Sequence, residues 1–224
     1  MKQSIPLYRF LPAVAAIKTI ESRSFRVSRI MDLNDPFEWS FGFDGTRPER
    51  LAEDRHERDE MIQRLCNEKW GILCFCEDFR DPVMWSHYAD RHRGLVLEIN
   101  ATVCEDAYHK VVYSRRPLIQ QHWLEDRENH AADLASAFGQ FFRFKAPSWK
   151  YEREWRAVIP LDKCLAAEGM FLWRFPDNFV RRIIIGIRSP IVPKELRRTL
   201  KLHGLKDVKV VKAKESVRSY GIEC

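Results

Sequence analysis

The stretch Trp149-Lys-Tyr-Glu-Arg-Glu-Trp-Arg-Ala-Val-Ile-Pro160 changes character halfway. Its first half is charged and aromatic, and its second half has the plain apolar content of a buried strand. If the whole stretch is extended, alternate side chains point to opposite faces. Glu152, Glu154 and Arg156 then share one face, while Tyr151, Arg153, Trp155, Ala157 and Ile159 share the other. Two carboxylates and a guanidinium running into Val158 describe a strand that leaves a core and enters a cleft. Groups held on such a strand have the rigidity that chemistry requires. The competing reading is a salt-bridged edge strand, because structural ion-pair networks gather the same residue types.

Working outward, the segments on either side alternate between strand and helix patterns. Ile5–Phe10 reads as a first strand, and Leu11–Ile20 as a short helix with Val14, Ile17 and Ile20 on one stripe. Ser24–Ser28 alternates as a second strand. Leu33-Asn-Asp-Pro-Phe-Glu38 follows, a turn in which Asn34 and Asp35 can bond their own backbone and Pro36 fixes φ. Met31, Leu33, Phe37 and Trp39 flank it, so a packed-down loop carrying Asn34, Asp35 and Glu38 is expected. Arg47–Trp70 is charged and reads as one long surface helix or two shorter ones. Gly71–Glu77 reads as a buried strand. In Asp81–Asp90, Asp81 can cap and Pro82 can start a short helix. That helix would bring Trp85, His87 and Tyr88 close enough to contact a flat ring; the alternative for His87 is a satisfied core histidine. Gly94–Ile99 and Lys110–Tyr113 read as strands, and Pro117–Phe142 as a long helical region with an aromatic end. After the central stretch come a helix around Cys164, strands at Met170–Phe175 and Val180–Gly186, a basic amphipathic helix at Pro193–His203, and a closing strand at Val208–Val211. The expected fold is α+β: residues 1–224 as a single domain, with a mixed or antiparallel sheet of about eight strands flanked by helices.

Composition narrows the class. The 224 residues are 45% hydrophobic and 31% charged, which suits a cored globular protein. The net charge of +6 is uneven. From Phe171 onward there are 13 Lys/Arg against 5 Asp/Glu, a surplus of eight that leaves the rest at −2. A basic end either maintains solubility or meets anionic partners, a nucleotide or nucleic acid. The six cysteines have no disulfide or zinc spacing, which implies buried thiols in a reducing cytoplasm and no metal. No apolar run reaches the ~20 residues of a membrane span. The nine glycines form neither G-x-G-x-x-G nor a P-loop.

Four blocks carry a resemblance. Leu33-Asn-Asp-Pro-Phe-Glu38, Met84-Trp-Ser-His-Tyr-Ala89 with Gly94, Tyr113, and Trp149–Arg156 resemble, in order, the bacterial family of domain of unknown function 2971. The layout of strand, short helix, strand, Asn-Asp-Pro loop and late Glu-bearing strand also resembles ADP-ribosyltransferases. That second resemblance implies an enzyme using NAD as substrate, with a protein or nucleic-acid acceptor, in a toxin or phage-defence setting. It implies Glu154 as the catalytic carboxylate and Glu152 as its partner. Tyr8 or Arg9 would hold NAD, with Asn34, Trp85, His87, Tyr88 and Arg156 around the cofactor. The ring-contacting aromatic is open among Phe37, Trp39, Trp85 and Tyr88, and Arg156 either positions substrate or only pairs with Glu154. Two other classes stand beside it: a non-enzymatic nucleic-acid- or nucleotide-binding module using the basic C-terminal segment, and a hydrolase or nuclease using Glu38, Glu152 and Glu154.

Overall fold

The computed structural model describes residues 6–38, 60, 63–102, 108–115 and 142–224. Trp39, most of the charged segment from Arg47 and most of the helical segment from Pro117 lie outside the described residues. The elements are β1 (Leu7–Leu11), α1 (Ala13–Ser22), β2 (Ser24–Val27), β3 (Trp70–Cys76), α2 (Pro82–Tyr88), β4 (Leu95–Ile99), β5 (Tyr108–Lys110), β6 (Val112–Tyr113), β7 (Phe144–Lys145), β8 (Glu154–Pro160), β9 (Leu165–Ala167), β10 (Met170–Arg174), β11 (Val180–Ile185), α3 (Pro193–Leu202), β12 (Lys209–Lys212), β13 (Lys214–Glu215) and β14 (Ile222–Glu223). Residues 63–69 are also helical.

The fold is α+β. Seven strands form one sheet in the order β12-β11-β4-β1-β3-β8-β5. Among the described residues of this sheet only β11 and β12 run parallel; the other five pairings are antiparallel. A second sheet, β2-β10-β9, packs its Phe25 and Val27 into the main core. Alternation along the strands divides the apolar residues between two faces. Leu7, Leu73, Leu97, Ala157 and Ile183 meet α1 and α3 on one face. Tyr8, Phe10, Cys76, Val96 and Ile184 meet Met84 and Trp85 of α2 on the other.

Pairing along β1 is uneven. On one side β1 matches β4 at five consecutive positions, from Leu7↔Ile99 to Leu11↔Leu95. On the other it meets β3 only at Tyr8↔Cys76. Beyond that pair the two strands separate, and Arg9 spans the gap by donating to the Cys74 carbonyl at 3.2 Å and the Arg26 carbonyl at 3.0 Å. Its guanidinium lies over the rings of Phe25 and Phe75.

Several local expectations need correction. The stretch from Trp149 is not extended throughout. Pro147–Glu152 is a 3-10 helix, Arg153 is left-handed at φ 44°, and the strand starts at Glu154. Pro147 opens that helix with the φ it prefers. Cys164 lies in no helix: after a single 3-10 turn, β9 and β10 form a hairpin closed by Glu168 and Gly169 at φ 50° and 75°. Two positive φ values in a two-residue loop match the twist of the strands. Ile20 of the expected stripe is buried, but Val14 is exposed, and α1 buries the small Ala16 and Thr19 beside Ile20. Met31 and Phe37 are also exposed rather than packed down.

Candidate functional site

The gap between β1 and β3 opens into a cavity of about 260 Å³. Tyr8, Arg9 and Phe10 line it from β1, and Cys74, Phe75 and Cys76 from β3. Leu33, Asn34 and Glu38 close it from the Asn-Asp-Pro loop, Met84 and Tyr88 from α2. Its polar wall is Lys145 with Glu152, Glu154 and Arg156.

Each wall residue is placed by a local device. Asp81 caps α2 by accepting from the Val83 N–H, so the helix begins as its sequence predicts and ends with Tyr88 at the cavity. The left-handed Arg153 turns the chain from 3-10 helix into β8, which keeps Glu152 beside Glu154 although only Glu154 is in the strand. Tyr113 accepts the Glu154 N–H at 2.8 Å and fixes the start of β8. Asp35 accepts from the Phe37 N–H, closing the turn that presents Glu38.

Three carboxylates and two cations then meet in a space nearly closed to water. Arg156 forks onto Glu154, with Nε to Oε1 at 2.7 Å and the second guanidinium nitrogen to Oε2 at 2.9 Å. Its remaining nitrogen donates to the Phe142 carbonyl and lies 2.6 Å from Glu38. Lys145 Nζ is 2.7 Å from Glu152, 3.2 Å from Glu154 and 3.3 Å from Glu38, and it sits over the Trp149 ring. Tyr88 donates to Glu152 and accepts from Asn34 Nδ2, which is exposed at the rim.

These surroundings push the carboxylates apart. Burial opposes the charge on Glu154, but Arg156 and Lys145 outweigh it and hold the pKa at about 2. Burial raises the pKa of Glu152 against the pull of Lys145 and Tyr88. Burial also works against the charge of Lys145, yet Glu154, Glu38 and Glu152 keep its pKa above the usual lysine range. Two neighbouring carboxyl groups with pKa values moved in opposite directions are the usual arrangement for dividing acid and base roles. The geometry therefore supplies a fixed anion at Glu154, and at Glu152 a second carboxyl group linked through Tyr88 to Asn34 at the rim.

Of the sequence-derived candidates, Tyr8, Arg9, Asn34, Tyr88, Glu152, Glu154 and Arg156 line this one cavity. Trp85 does not. It is fully buried, its indole N–H bonds the Phe79 carbonyl at 2.5 Å, and Phe10 meets its ring edge-on, so it is a core residue. His87 is exposed on α2 outside the cavity, with Nδ1 3.3 Å from the Tyr151 hydroxyl. Arg156 spends its whole guanidinium within the protein, so it supports Glu154 rather than reaching for a ligand. The side chain of Arg9 braces the gap in the same way. Sequence reasoning missed Lys145. The available signal was a lysine between Phe144 and Ala146, at the end of the aromatic run Phe141–Phe144, where a buried cation needs carboxylate partners.

Among the described residues no helix is long and apolar enough to cross a membrane. Neither curated proteins nor solved structures give a match. Residues 84–157, running from the middle of α2 to the centre of β8, match the family described as Protein of unknown function (DUF2971).

Proposed function

We propose that the cavity between β1 and β3 is the active site of an ADP-ribosyltransferase-like enzyme that uses NAD as substrate and transfers ADP-ribose to a protein or nucleic-acid acceptor. The observation that supports this reading is the meeting of Glu152 and Glu154 with Tyr8 and Asn34 around one cavity, although these residues are scattered over the chain. The volume of about 260 Å³ suits the nicotinamide–ribose half of the dinucleotide, with the remainder outside the mouth.

The chemistry follows from the charges. When the nicotinamide–ribose bond breaks, nicotinamide leaves as a neutral base with the bonding electron pair, and positive charge develops at the ribose C1′. A glycosidic bond breaks through the same kind of oxocarbenium-like state. Glu154, kept ionised and immobile by Arg156, is a preorganised anion for that charge. The acceptor nucleophile then bonds C1′ and loses its proton to Glu152, which burial makes a stronger proton acceptor than its neighbour Glu154. Glu152 thus carries the proton transfer, and Glu154 acts as its fixed neighbour.

The test is label transfer. The purified chain is mixed with NAD labelled in its adenylate half and with bacterial lysate or nucleic acid. Label should move to a macromolecule with wild type and fall by at least ~100-fold in Glu152→Gln, the range general acid–base catalysis supplies. Equal transfer by Glu152→Gln, or none by a folded wild type, would overturn the reading.

A further inference from the structure

Glu154 is the residue the ADP-ribosyltransferase layout would assign to binding the ribose, but both its oxygens are taken by Arg156 and Lys145. Glu38 is different. Its side chain is 2% exposed and lines the cavity. It lies 2.6 Å from the Arg156 guanidinium and 3.3 Å from Lys145, yet neither contact has hydrogen-bonding alignment, and among the described residues both carboxylate oxygens are without a hydrogen-bond partner. A buried carboxylate with two open acceptor sites is rare, because an unmet buried acceptor forfeits the water it left. Its neighbours also decide what completes it. Lys145 and Arg156 already flank Glu38, so a pair of neutral donors can complete it without a further cation.

We infer that Glu38 is the ligand-binding carboxylate of this cavity and that it takes the vicinal diol of a ribose, each hydroxyl donating to one oxygen. The choice of a ribose rests on the ribosyl-transfer reading; the need for paired neutral donors does not. The loop geometry fits such a role, since the Asn-Asp-Pro turn presents Glu38 to the cavity beside Arg156 of β8 and Lys145, next to Glu152 and Glu154.

Calorimetric binding of nicotinamide riboside, its 2′-deoxy and 3′-deoxy forms, and methylguanidinium tests the assignment with wild type and Glu38→Gln. Wild type should bind the riboside and bind each deoxy form roughly 10- to 100-fold more weakly, as expected for a lost hydrogen bond to a charged group. Glu38→Gln should bind the riboside at the deoxy level and gain no further loss from the deoxy forms, the non-additivity of a shared contact. Should Glu38→Gln fail to fold, the wild-type comparison of riboside with deoxy forms decides alone. Equal affinity for riboside and deoxy forms, no riboside binding, or preference for methylguanidinium overturns the inference. If the diol is discriminated but NAD is never cleaved, the ribosyl-transfer reading falls and Glu38 keeps its role. If NAD is cleaved and its deoxy forms react equally well, Glu38 loses its role and the reading stands.

Discussion

β1 has two neighbours and treats them differently. Its seam with β4 is closed: five consecutive pairs, apolar residues on both faces, and Gly94 at its end so near the Leu11 carbonyl that a Cβ would stand 2.1 Å from it. Its seam with β3 is closed at Tyr8↔Cys76 and open beyond, where the cavity and its charged wall lie. The same strand thus makes ordinary sheet on one side and a ligand-sized gap on the other. What differs is how the backbone groups and charges are met. On the closed side the ladder meets them. On the open side one arginine side chain bridges to the Cys74 carbonyl, and three carboxyl groups share two cations.

Breaking the charge balance should have the largest effect. Arg156→Met leaves Glu154 and Glu38 buried without their main counter-ion, and unfolding free energy should fall by about 3–5 kcal/mol. On the closed seam Leu97→Ala removes packing only and should cost about 2–5 kcal/mol. Urea denaturation separates their consequences if ligand binding is followed alongside: Arg156→Met should lose it and folded Leu97→Ala should keep it. If Leu97→Ala abolishes binding while still folded, the seams are not independent.

A smaller effect is expected where the open seam is braced. Arg9→Met keeps the apolar stem over Phe25 and Phe75 but deprives two carbonyls of their donor, which should cost about 1–3 kcal/mol. Hydrogen exchange should accelerate along β1 and β3 and remain slow along β4. Uniform acceleration across all three strands would mean that Arg9 does not brace the gap.

The smallest effect is the most diagnostic, because it concerns the sign of a slope. Glu154 has a folded pKa of about 2 against an ordinary 4.5, so the folded state binds its proton less readily than the unfolded chain. The stability it contributes is present above pH 4.5 and is lost as pH falls toward 2. Glu152 has the opposite shift, so its contribution is present below pH 4.5 and is lost as pH rises through its folded value. Glu154→Gln should flatten the acid limb of the stability–pH curve, and Glu152→Gln should flatten the descent above pH 4.5. Matching changes in both variants would show that the carboxylates are not held apart.

The closed parts of the molecule were legible in the sequence because one local rule governs each. Alternation marked β2 and β8 from Glu154 onward, apolar content marked β4 and β11, and Asp81-Pro82 marked the start of α2. The same-side grouping of Glu152, Glu154 and Arg156 was also readable, although a 3-10 helix and a left-handed Arg153 produce it, not six residues of strand. The cavity itself was not readable. Nothing in residues 7–11 says that β1 leaves β3 after one pair, since that depends on where β2, α2 and the Asn34 loop pack. Trp85 went to the core because its indole found the Phe79 carbonyl, a partner six residues away that no spacing rule indicates. Lys145 stayed hidden because a buried lysine is defined by the carboxylates around it, and those come from two other segments of chain.

Nicotinamide release from NAD tests the central claim most directly. Purified wild type, incubated with NAD at neutral pH and followed by chromatography, should liberate nicotinamide. Glu152→Gln should release it at least ~100-fold more slowly, while Leu97→Ala at a temperature where it is folded should retain release. A folded wild type that liberates none, or a Glu152→Gln variant that matches it, would contradict the assignment of this cavity to ribosyl transfer.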